Sequence, residues 1–187
     1  MFELGSPPPA NGSALILSGP PGVGKSTTAE ILAARAPRAV HLESDAFFGF
    51  VRSGYTEPWK PESHKQNRLV MGIVAQAAAE YAAAGYHTII DGIVIPGWFL
   101  EPMAERLREA ECQVAYVVLR APLATCTERA RGRGSAPLAD PSVIEQLWRS
   151  FADLGELEQN AIDLDGEDAV EAADRIERRM AGGLLTL

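Results

Sequence analysis

The sequence is poor in cysteine, in positive charge and in long apolar runs. Its two cysteines, Cys112 and Cys126, fall in a predicted strand and a predicted helix, so a reduced cytoplasmic protein is expected rather than one held by disulfides. The 17 Lys and Arg against 25 Asp and Glu give a formal net charge of −8. This balance predicts no general binding to nucleic acid or acidic membranes, because a basic surface supplies most of that affinity. No basic-then-apolar leader is present.

What remains is an ordinary globular composition. The chain has 187 residues, of which 47% are apolar and 22% charged, and this is enough to bury a sheet on both faces. The stretch "GSPPPANGS" predicts a flexible N-terminal arm over residues 1–13. A single domain is predicted over residues 14–187.

The segment "GPPGVGKSTT", residues 19–28, carries the most specific signal in the sequence. Its spacing Gly19-x-x-x-x-Gly24-Lys25-Ser26 fits a phosphate-binding loop at every fixed position. Glycines in such a loop let backbone N–H groups turn toward phosphates; Lys25 is expected to neutralise phosphate oxygens, and Ser26 would then ligate magnesium. The predicted ATP-binding residues are Gly19, Gly22, Val23, Gly24, Lys25, Ser26 and Thr27.

The flanking sequence supports this interpretation over a Gly/Pro-rich turn that merely precedes a lysine. "ALILS", residues 14–18, is typical of a strand buried on both faces, and "TTAEILAARA", residues 27–36, repeats apolar residues at helical spacing. A phosphate-binding loop requires a strand before it and a helix after it.

Strand and helix signals alternate along the rest of the chain. Further strands are predicted at 39–44, 87–93, 113–120 and 160–166. A long helix is predicted over about 62–84, with Gly85 as its stop and an apolar stripe made of Val70, Ile73, Val74, Ala77 and Tyr81. Five strands with helical crossovers predict a parallel, right-handed α/β sandwich.

Acidic residues stand where two of these strands end, which is where ligands gather in parallel sheets. Glu43 and Asp45 are two residues apart, so Glu43 is a candidate magnesium ligand and Asp45 a candidate base for a phosphoryl acceptor. The alternative for Asp45 is a helix N-cap. Asp91 ends strand three in a pattern whose aspartate often approaches magnesium, which leaves open whether Glu43 or Asp91 contacts the metal. Asp91 and Gly92 are also candidate substrate contacts, because Gly92 lets substrate or phosphate come close to the backbone; their alternative is a turn aspartate before glycine.

Two further segments are predicted to contact the acceptor. Asn67 and Arg68 lie with His64 near the start of the long helix, on a stripe that continues into the core; a solvated helix end is the alternative. Residues 46–60 hold five aromatic residues directly after the candidate base, which suits an acceptor with an apolar or ring face. Core packing could instead absorb some of these rings, which are Phe47, Phe48, Phe50, Tyr55 and Trp59. Phe48, Trp59 and Arg52 are the predicted acceptor contacts of this segment.

Arginine is concentrated in "RAPLATCTERARGRG", residues 120–134, against a single acid. Gly132 and Gly134 interrupt the helix there, which is typical of a lid near 128–140 that closes over transferring phosphates. Arg129, Arg131 and Arg133 are the candidate catalytic arginines of this lid, with exposed surface charge as the alternative.

Together, "GPPGVGKS", the carboxylate pair after strand two, "VVLRAPLATCTERARGRG" and "IDLDG" resemble the small P-loop kinases that include chloramphenicol phosphotransferase, gluconate kinase and shikimate kinase. The resemblance spans nearly all of the chain after the arm. It implies a five-stranded sheet in the order 2-3-1-4-5, MgATP as donor and a small hydroxyl compound as acceptor. It also implies that Lys25 and Ser26 contact ATP and magnesium, that Asp45 activates the acceptor, and that Arg129, Arg131 or Arg133 belongs to the lid.

The predicted function is ATP-dependent transfer of the γ-phosphate to a hydroxyl of an antibiotic-like or other ring-bearing small molecule. The expected enzyme is a monomer or homodimer. Two alternatives stay open: a nucleotide or nucleotide-sugar kinase, which would need more arginine near Asp45 than Arg52 and Arg68 supply, and an ATP-binding switch with slow hydrolysis.

Overall fold

A computed structural model describes residues 12–132 and 140–187 of the chain. All five predicted strands are present, and three of them end before the predicted residue. Their bounds are β1 Ser13–Ser18, β2 Ala39–Glu43, β3 His87–Asp91, β4 Gln113–Arg120 and β5 Ala161–Asp163.

Helices connect the strands and cover both faces of the sheet. In the described residues they are α1 Lys25–Arg35, α2 Ser44–Gly49, α3 His64–Ala83, α4 Leu100–Glu109, α5 Leu123–Gly132, α6 Pro141–Arg149 and α7 Ala169–Ala181. Short 3₁₀ turns precede α3 and β5, at Pro61–Ser63 and Gly155–Asn160. No helix within this described part is both long and apolar enough to cross a membrane.

The sheet is parallel throughout its five strands, in the order β2-β3-β1-β4-β5, which confirms the predicted topology. Alternate residues of β1 enter two separate cores, since successive side chains of a strand point to opposite faces. Ala14 and Ile16 pack with residues of α3 and α4, whereas Leu15 and Leu17 pack with residues of α1 and α7. The result is the predicted three-layer α/β sandwich.

The buried face of α3 differs from the predicted stripe. Ile73 and Tyr81 are 48% and 43% exposed. Alanine supplies much of the buried face instead, because its small side chain lets the helix approach the sheet closely. The buried residues are Asn67, Val70, Met71, Val74, Ala75, Ala78, Ala79 and Ala82.

The last two residues of the predicted N-terminal arm belong to the sheet domain. The Gly12 N–H donates to the Ala82 carbonyl oxygen at 2.8 Å. Ser13 is the first residue of β1, and its Oγ lies 2.6 Å from His87 Nδ1. Residues 1–11 of that predicted arm lie outside the described residues. Cys112 and Cys126 are buried free thiols.

Candidate active site

The parallel sheet brings three chain segments together at one edge. Residues 19–24 follow β1, α2 follows β2, and Asp91 is the last residue of β3. The register aligns Asp91 with Leu17 of β1 and with Glu43 of β2. The carboxyl ends of three neighbouring strands therefore place the phosphate-binding loop beside the predicted carboxylates.

The phosphate-binding loop requires its glycines for two physical reasons. Gly19, Gly22 and Gly24 all have positive φ, which disfavours residues with a Cβ. In addition, a Cβ on Gly19 would lie 2.3 Å from the Leu119 carbonyl oxygen, and one on Gly22 would lie 2.1 Å from the Cys126 carbonyl oxygen. The loop thus packs closely between β4 and α5, with no space for side chains at these two positions.

The end of this loop presents donors for an anion. Gly24 caps α1 without a side-chain hydrogen bond to the first backbone N–H groups. Lys25 Nζ donates to the carbonyl oxygens of Gly19 and Pro20, at 3.0 Å each. Val23 is buried, whereas Thr27 is exposed at the start of α1. A helix N-terminus with an adjacent lysine suits phosphate binding.

Asp91 is the most buried acid at this edge, at 4% exposure. Burial acts to raise the pKa of its carboxyl group, but His41, Lys25 and Ser26 together outweigh burial and hold that pKa below its usual value. Its Oδ2 lies 3.5 Å from His41 Nε2, while its Oδ1 is buried without a hydrogen-bond partner. Such a residue is not a solvated turn aspartate.

Glu43 and Asp45 are arranged differently from Asp91, because both are exposed. Helix α2 begins at Ser44, its N-cap is Glu43, and Asp45 lies within its first turn. The helix-cap alternative for Asp45 is therefore wrong. Both carboxylates line one small cavity of about 110 Å³, here called the phosphate cavity, whose lining is Pro21, Gly22, Lys25, Ser26, Glu43, Asp45, Asp91, Gly92, Ile93 and Ala130.

Gly92 is needed here for packing within the protein. A Cβ at this position would lie 2.3 Å from Ser44 Oγ and 3.0 Å from Ser44 Cβ. The sequence suggested that a glycine stands here so that a substrate can approach the backbone. The structure instead shows that atoms of α2 occupy the space a Cβ would need. Gly92 thus lets the first turn of α2 settle against the end of β3.

A second cavity of about 460 Å³, here called the aromatic cavity, adjoins the phosphate cavity. Asp45 and Ile93 line both. Its other lining residues are Ser44, Phe48, Gly49, Val51, Tyr55, Pro58, Trp59, Asn67, Met71, Trp98, Phe99 and Leu147. Phe47 and Phe50 are not among them; their rings pack edge to face with centroids 5.7 Å apart.

The loop that carries Tyr55 and Trp59 is fastened to the start of α3. The Gln66 side chain forms two hydrogen bonds with the Thr56 backbone. Its Oε1 accepts from the Thr56 N–H, and its Nε2 donates to the Thr56 carbonyl oxygen. Asn67 Nδ2 donates to the Pro58 carbonyl oxygen at 2.7 Å and to Ser63 Oγ at 2.9 Å. Asn67 therefore lines the cavity and also anchors its wall.

Several predicted contact residues lie elsewhere. Arg52 is exposed and does not line the aromatic cavity. Arg68 and His64 are also exposed and line a separate groove between α3 and α4, together with Arg106. Helical spacing was compatible with an inward position, but Arg68 lies one residue beyond the buried Asn67 and so faces outward.

The lid arginines are only partly described. Arg129 and Arg131 are exposed near the end of α5, on either side of Ala130, which lines the phosphate cavity. Arg133 and the rest of the predicted lid up to residue 139 lie outside the described residues. Arg120, which opens the arginine-rich segment, pairs with Asp163 at 2.8 Å and Glu158 at 2.7 Å.

The sequence alone did not reveal a third cavity, which lies at the carboxyl ends of β4 and β5. It has a volume of about 570 Å³ and reaches the phosphate-binding loop through Pro20. Its aromatic side chains come from α6 and the residues after it, with the Trp148 indole N–H bonded to the Ala121 carbonyl oxygen. This site is hidden in the sequence because its walls come from four separate segments.

Solved structures with this fold include several kinases. A Deinococcus radiodurans tunicamycin resistance protein is 22% identical over 94% of this chain and 98% of its own, with a TM-score of 0.68. A Janibacter sugar kinase is 20% identical over 94% and 99%, with a TM-score of 0.65. A Mycobacterium tuberculosis APS kinase in complex with AMPPNP and APS is 14% identical over 92% and 99%, with a TM-score of 0.68.

Family-level similarity is found in the sequence itself. None of the curated proteins compared with this chain matches it significantly. A family model described as an AAA domain matches residues 15–154, a span that includes β1, the phosphate-binding loop and the carboxylates after β2 and β3. With this loop in place between β1 and α1, the chain belongs to the AAA domain family and has the fold of the P-loop kinases.

Proposed function

We propose that the protein is an ATP-dependent phosphotransferase that moves the γ-phosphoryl group to a hydroxyl of a small, ring-bearing molecule. One observation carries the proposal: Asp45 lines both the phosphate cavity and the aromatic cavity. A carboxylate at this junction is suited to accept the proton of a hydroxyl group as its oxygen attacks phosphorus.

The donor would occupy the phosphate-binding loop and the third cavity. Backbone N–H groups of the loop and Lys25 would hold the phosphates. The adjoining cavity near Pro20, with Trp148 and Phe151, offers apolar and aromatic surface for the nucleobase. Known P-loop kinases supply the analogy, including the solved APS kinase with bound AMPPNP.

The residues at this site fit a magnesium ion. Ser26 and Glu43 are the ligands expected from sequence. Asp91 is the stronger acidic candidate, because its Oδ1 is buried without a hydrogen-bond partner and Ser26 acts on its carboxyl group. A magnesium ion at this position would neutralise charge on the transferring phosphates. Hydroxyl and carboxylate oxygens are the hard donors it prefers.

The acceptor would lie in the aromatic cavity with its hydroxyl directed toward Asp45. As the new oxygen–phosphorus bond forms, the bond to the bridging oxygen of ADP breaks and Asp45 takes the hydroxyl proton. Exposed Arg129 and Arg131 on α5 are available to approach the phosphates. The large apolar wall favours this function over a nucleotide switch, which would need no acceptor cavity.

The proposal is tested by measuring ADP formation with and without a panel of hydroxyl compounds, and by mass spectrometry of the products. Strong acceptor dependence and a phosphorylated product are expected. Lys25→Ala should abolish both, while Lys65→Ala, at an exposed lysine on α3, should leave them unchanged. ADP formation that no compound stimulates would favour the switch, and a product limited to nucleotides or sugar nucleotides would favour the other alternative.

A further inference from the structure

We propose that Ser18 is a positioning residue for the acceptor, although it lines neither the phosphate cavity nor the aromatic cavity. Its hydroxyl group holds the backbone of residues 92–99, here called the β3–α4 segment, at a fixed place beside the phosphate-binding loop. This inference rests on the proposed function and identifies a residue that sets the distance between the two substrates.

The contact between Ser18 and Val94 is a reciprocal pair of hydrogen bonds. Ser18 is the last residue of β1 and is fully buried. Its Oγ accepts from the Val94 N–H at 2.9 Å and donates to the Val94 carbonyl oxygen at 2.8 Å. A hydroxyl group can do both because it has one donor and two acceptor positions. Alanine at position 18 could do neither.

The backbone of Val94 depends on side chains for its hydrogen bonds, because β3 has already ended at Asp91. Within the described part of the chain, the partners of its N–H and C=O groups are the hydroxyl groups of Ser18 and Tyr116. Tyr116, on β4, donates to the same carbonyl oxygen at 2.8 Å and is itself fully buried. Since buried backbone groups without partners are costly, these bonds from two strands favour one position of Val94.

Val94 is directly connected to side chains that line both cavities. Ile93 precedes it and lines the phosphate cavity as well as the aromatic cavity. Ile95 follows it, and the Ile95 carbonyl oxygen accepts from the N–H groups of Trp98 at 3.1 Å and Phe99 at 3.3 Å. Trp98 and Phe99 line the aromatic cavity, with ring centroids 4.2 Å apart. The position of Val94 therefore determines where three side chains of the aromatic cavity lie.

Ser18 also borders the donor side, because it immediately precedes Gly19 of the phosphate-binding loop. The loop has contacts of its own, since Lys25 Nζ donates to the carbonyl oxygens of Gly19 and Pro20. Loss of the Ser18 hydroxyl group therefore releases the β3–α4 segment and leaves these loop contacts in place. Because phosphoryl transfer depends steeply on the placement of the reacting atoms, the effect falls on use of the acceptor.

The position of Trp98 can be measured without any substrate. Fluorine NMR of protein labelled with fluorotryptophan reports on the three tryptophans, and replacement of each by phenylalanine in turn assigns their resonances. In Ser18→Ala, we expect the Trp98 resonance to shift by more than its linewidth, because the β3–α4 segment loses its anchor. The Trp148 resonance should stay in place, since Trp148 lines the separate cavity near Pro20.

Ser13→Ala is the matched control. Ser13 is the first residue of the same strand, and its Oγ lies 2.6 Å from His87 Nδ1. The substitution removes a hydroxyl contact of β1 at the end away from both cavities, so no tryptophan resonance should shift.

Tyr116→Phe is a milder variant, because Ser18 keeps both of its bonds to Val94. It should shift the Trp98 resonance in the same direction as Ser18→Ala, but less. Circular dichroism shows whether each variant folds. If Ser18→Ala does not fold, Tyr116→Phe decides the question by the same measurements.

Steady-state kinetics tests the role in catalysis, with ATP and the compound that the hydroxyl panel shows to be phosphorylated best. Ser18→Ala should lower kcat/KM for this compound about 10- to 100-fold, while the KM for ATP changes less than about twofold. Ser13→Ala should change neither constant.

The outcomes separate this inference from the proposed function. An unchanged Trp98 resonance in Ser18→Ala, or an equal shift in Ser13→Ala, would overturn the positioning role. A rise in the KM for ATP as large as the loss with the acceptor would also overturn it. If the Trp98 resonance shifts as expected but the wild-type protein phosphorylates no compound of the panel, Ser18 positions the β3–α4 segment and the phosphotransferase function fails.

Discussion

His41 Nε2 lies 3.5 Å from Asp91 Oδ2, across the neighbouring strands β2 and β3, with both side chains largely buried. This separation is an electrostatic contact rather than a well-formed hydrogen bond. The Asp91 carboxylate raises the pKa of His41 despite the opposing effect of burial. When His41 is protonated, the contact thus supplies positive charge to Asp91, which is the one deeply buried acid beside the phosphate-binding loop among the described residues.

Replacing His41 should cost stability. His41→Gln removes this positive charge from a buried carboxylate, so we expect the free energy of unfolding at pH 6 to fall by about 1–3 kcal/mol. Urea denaturation measures it. His64→Gln is the matched control, because His64 is exposed, and it should change stability by less than about 0.5 kcal/mol. Equal effects of the two substitutions would contradict a specific role for the contact.

The pKa of the third histidine, His87, is shifted in the opposite direction from that of His41. Burial holds the pKa of His87 below its usual value, so the unfolded chain binds its proton more readily than the folded one. The contribution of His87 to the free energy of unfolding is therefore fully present above about pH 6.5, the pKa of a histidine in the unfolded chain. This contribution is lost as the pH falls toward the pKa of His87 in the folded protein. Titration of the imidazole resonances by NMR measures this pKa; a midpoint for His87 at or above 6.5 would disprove the expectation.

The sequence predicted those parts of the site whose chemistry fixes the spacing of residues within one segment. The loop from Gly19 to Ser26 is of this kind, since its glycines and lysine must follow one another. The choice between Asp91 and Glu43 as the proposed metal ligand could not be predicted in this way, because it depends on burial and strand register. Neither property could be read from the two local sequences.

Side-chain pairing between distant segments explains the remaining differences. Arg120 looked like part of a basic cluster, but Asp163 and Glu158 neutralise it from segments about 40 residues further along the chain. Phe99 joins the aromatic cavity only because the segment after β3 folds back beside α3. On α3, alanine-rich sequence gave an ambiguous apolar stripe, and packing against the sheet selected the face.

Different acids at the site should have separable roles. Asp45→Asn keeps the side chain's shape but removes the proposed base, so kcat should fall about 100-fold or more with little change in ATP affinity. Asp91→Asn should instead weaken the magnesium dependence of nucleotide binding, which calorimetry can measure without turnover. Glu43→Gln is the matched comparison and should have a smaller effect on binding, because Glu43 is exposed. Indistinguishable behaviour of the Asp45 and Asp91 variants would refute separate roles.

The described arginines of α5 should act mainly on the transition state. Ala130, which lies between them, lines the phosphate cavity, and both arginines are exposed, so we expect one of them to approach the transferring group. Alanine at one of these positions should lower kcat more than it weakens ATP binding. Arg108→Ala, on the exposed side of α4, provides the control. Small and equal effects at all three positions would indicate ordinary surface charge.

The contact between Gly92 and Ser44 should determine the position of Asp45. In Gly92→Ala, the new Cβ would lie 3.0 Å from Ser44 Cβ and nearer still to Ser44 Oγ, so α2 must move away from the end of β3. Because Asp45 follows Ser44 directly, we expect kcat to fall about 10- to 100-fold while ATP affinity changes little.

A second substitution tests that steric explanation. Ser44→Gly removes both atoms that meet the new methyl group, so the double variant should recover part of the lost kcat, even though Ser44→Gly alone lowers stability slightly. Gly72→Ala is the control: no atom lies within 4 Å of its added Cβ, and alanine favours the helical conformation of α3. Steady-state kinetics of the four variants provides the measurement. If the double variant is no more active than Gly92→Ala alone, displacement of α2 is not the cause, and Gly92 must act on the substrates directly.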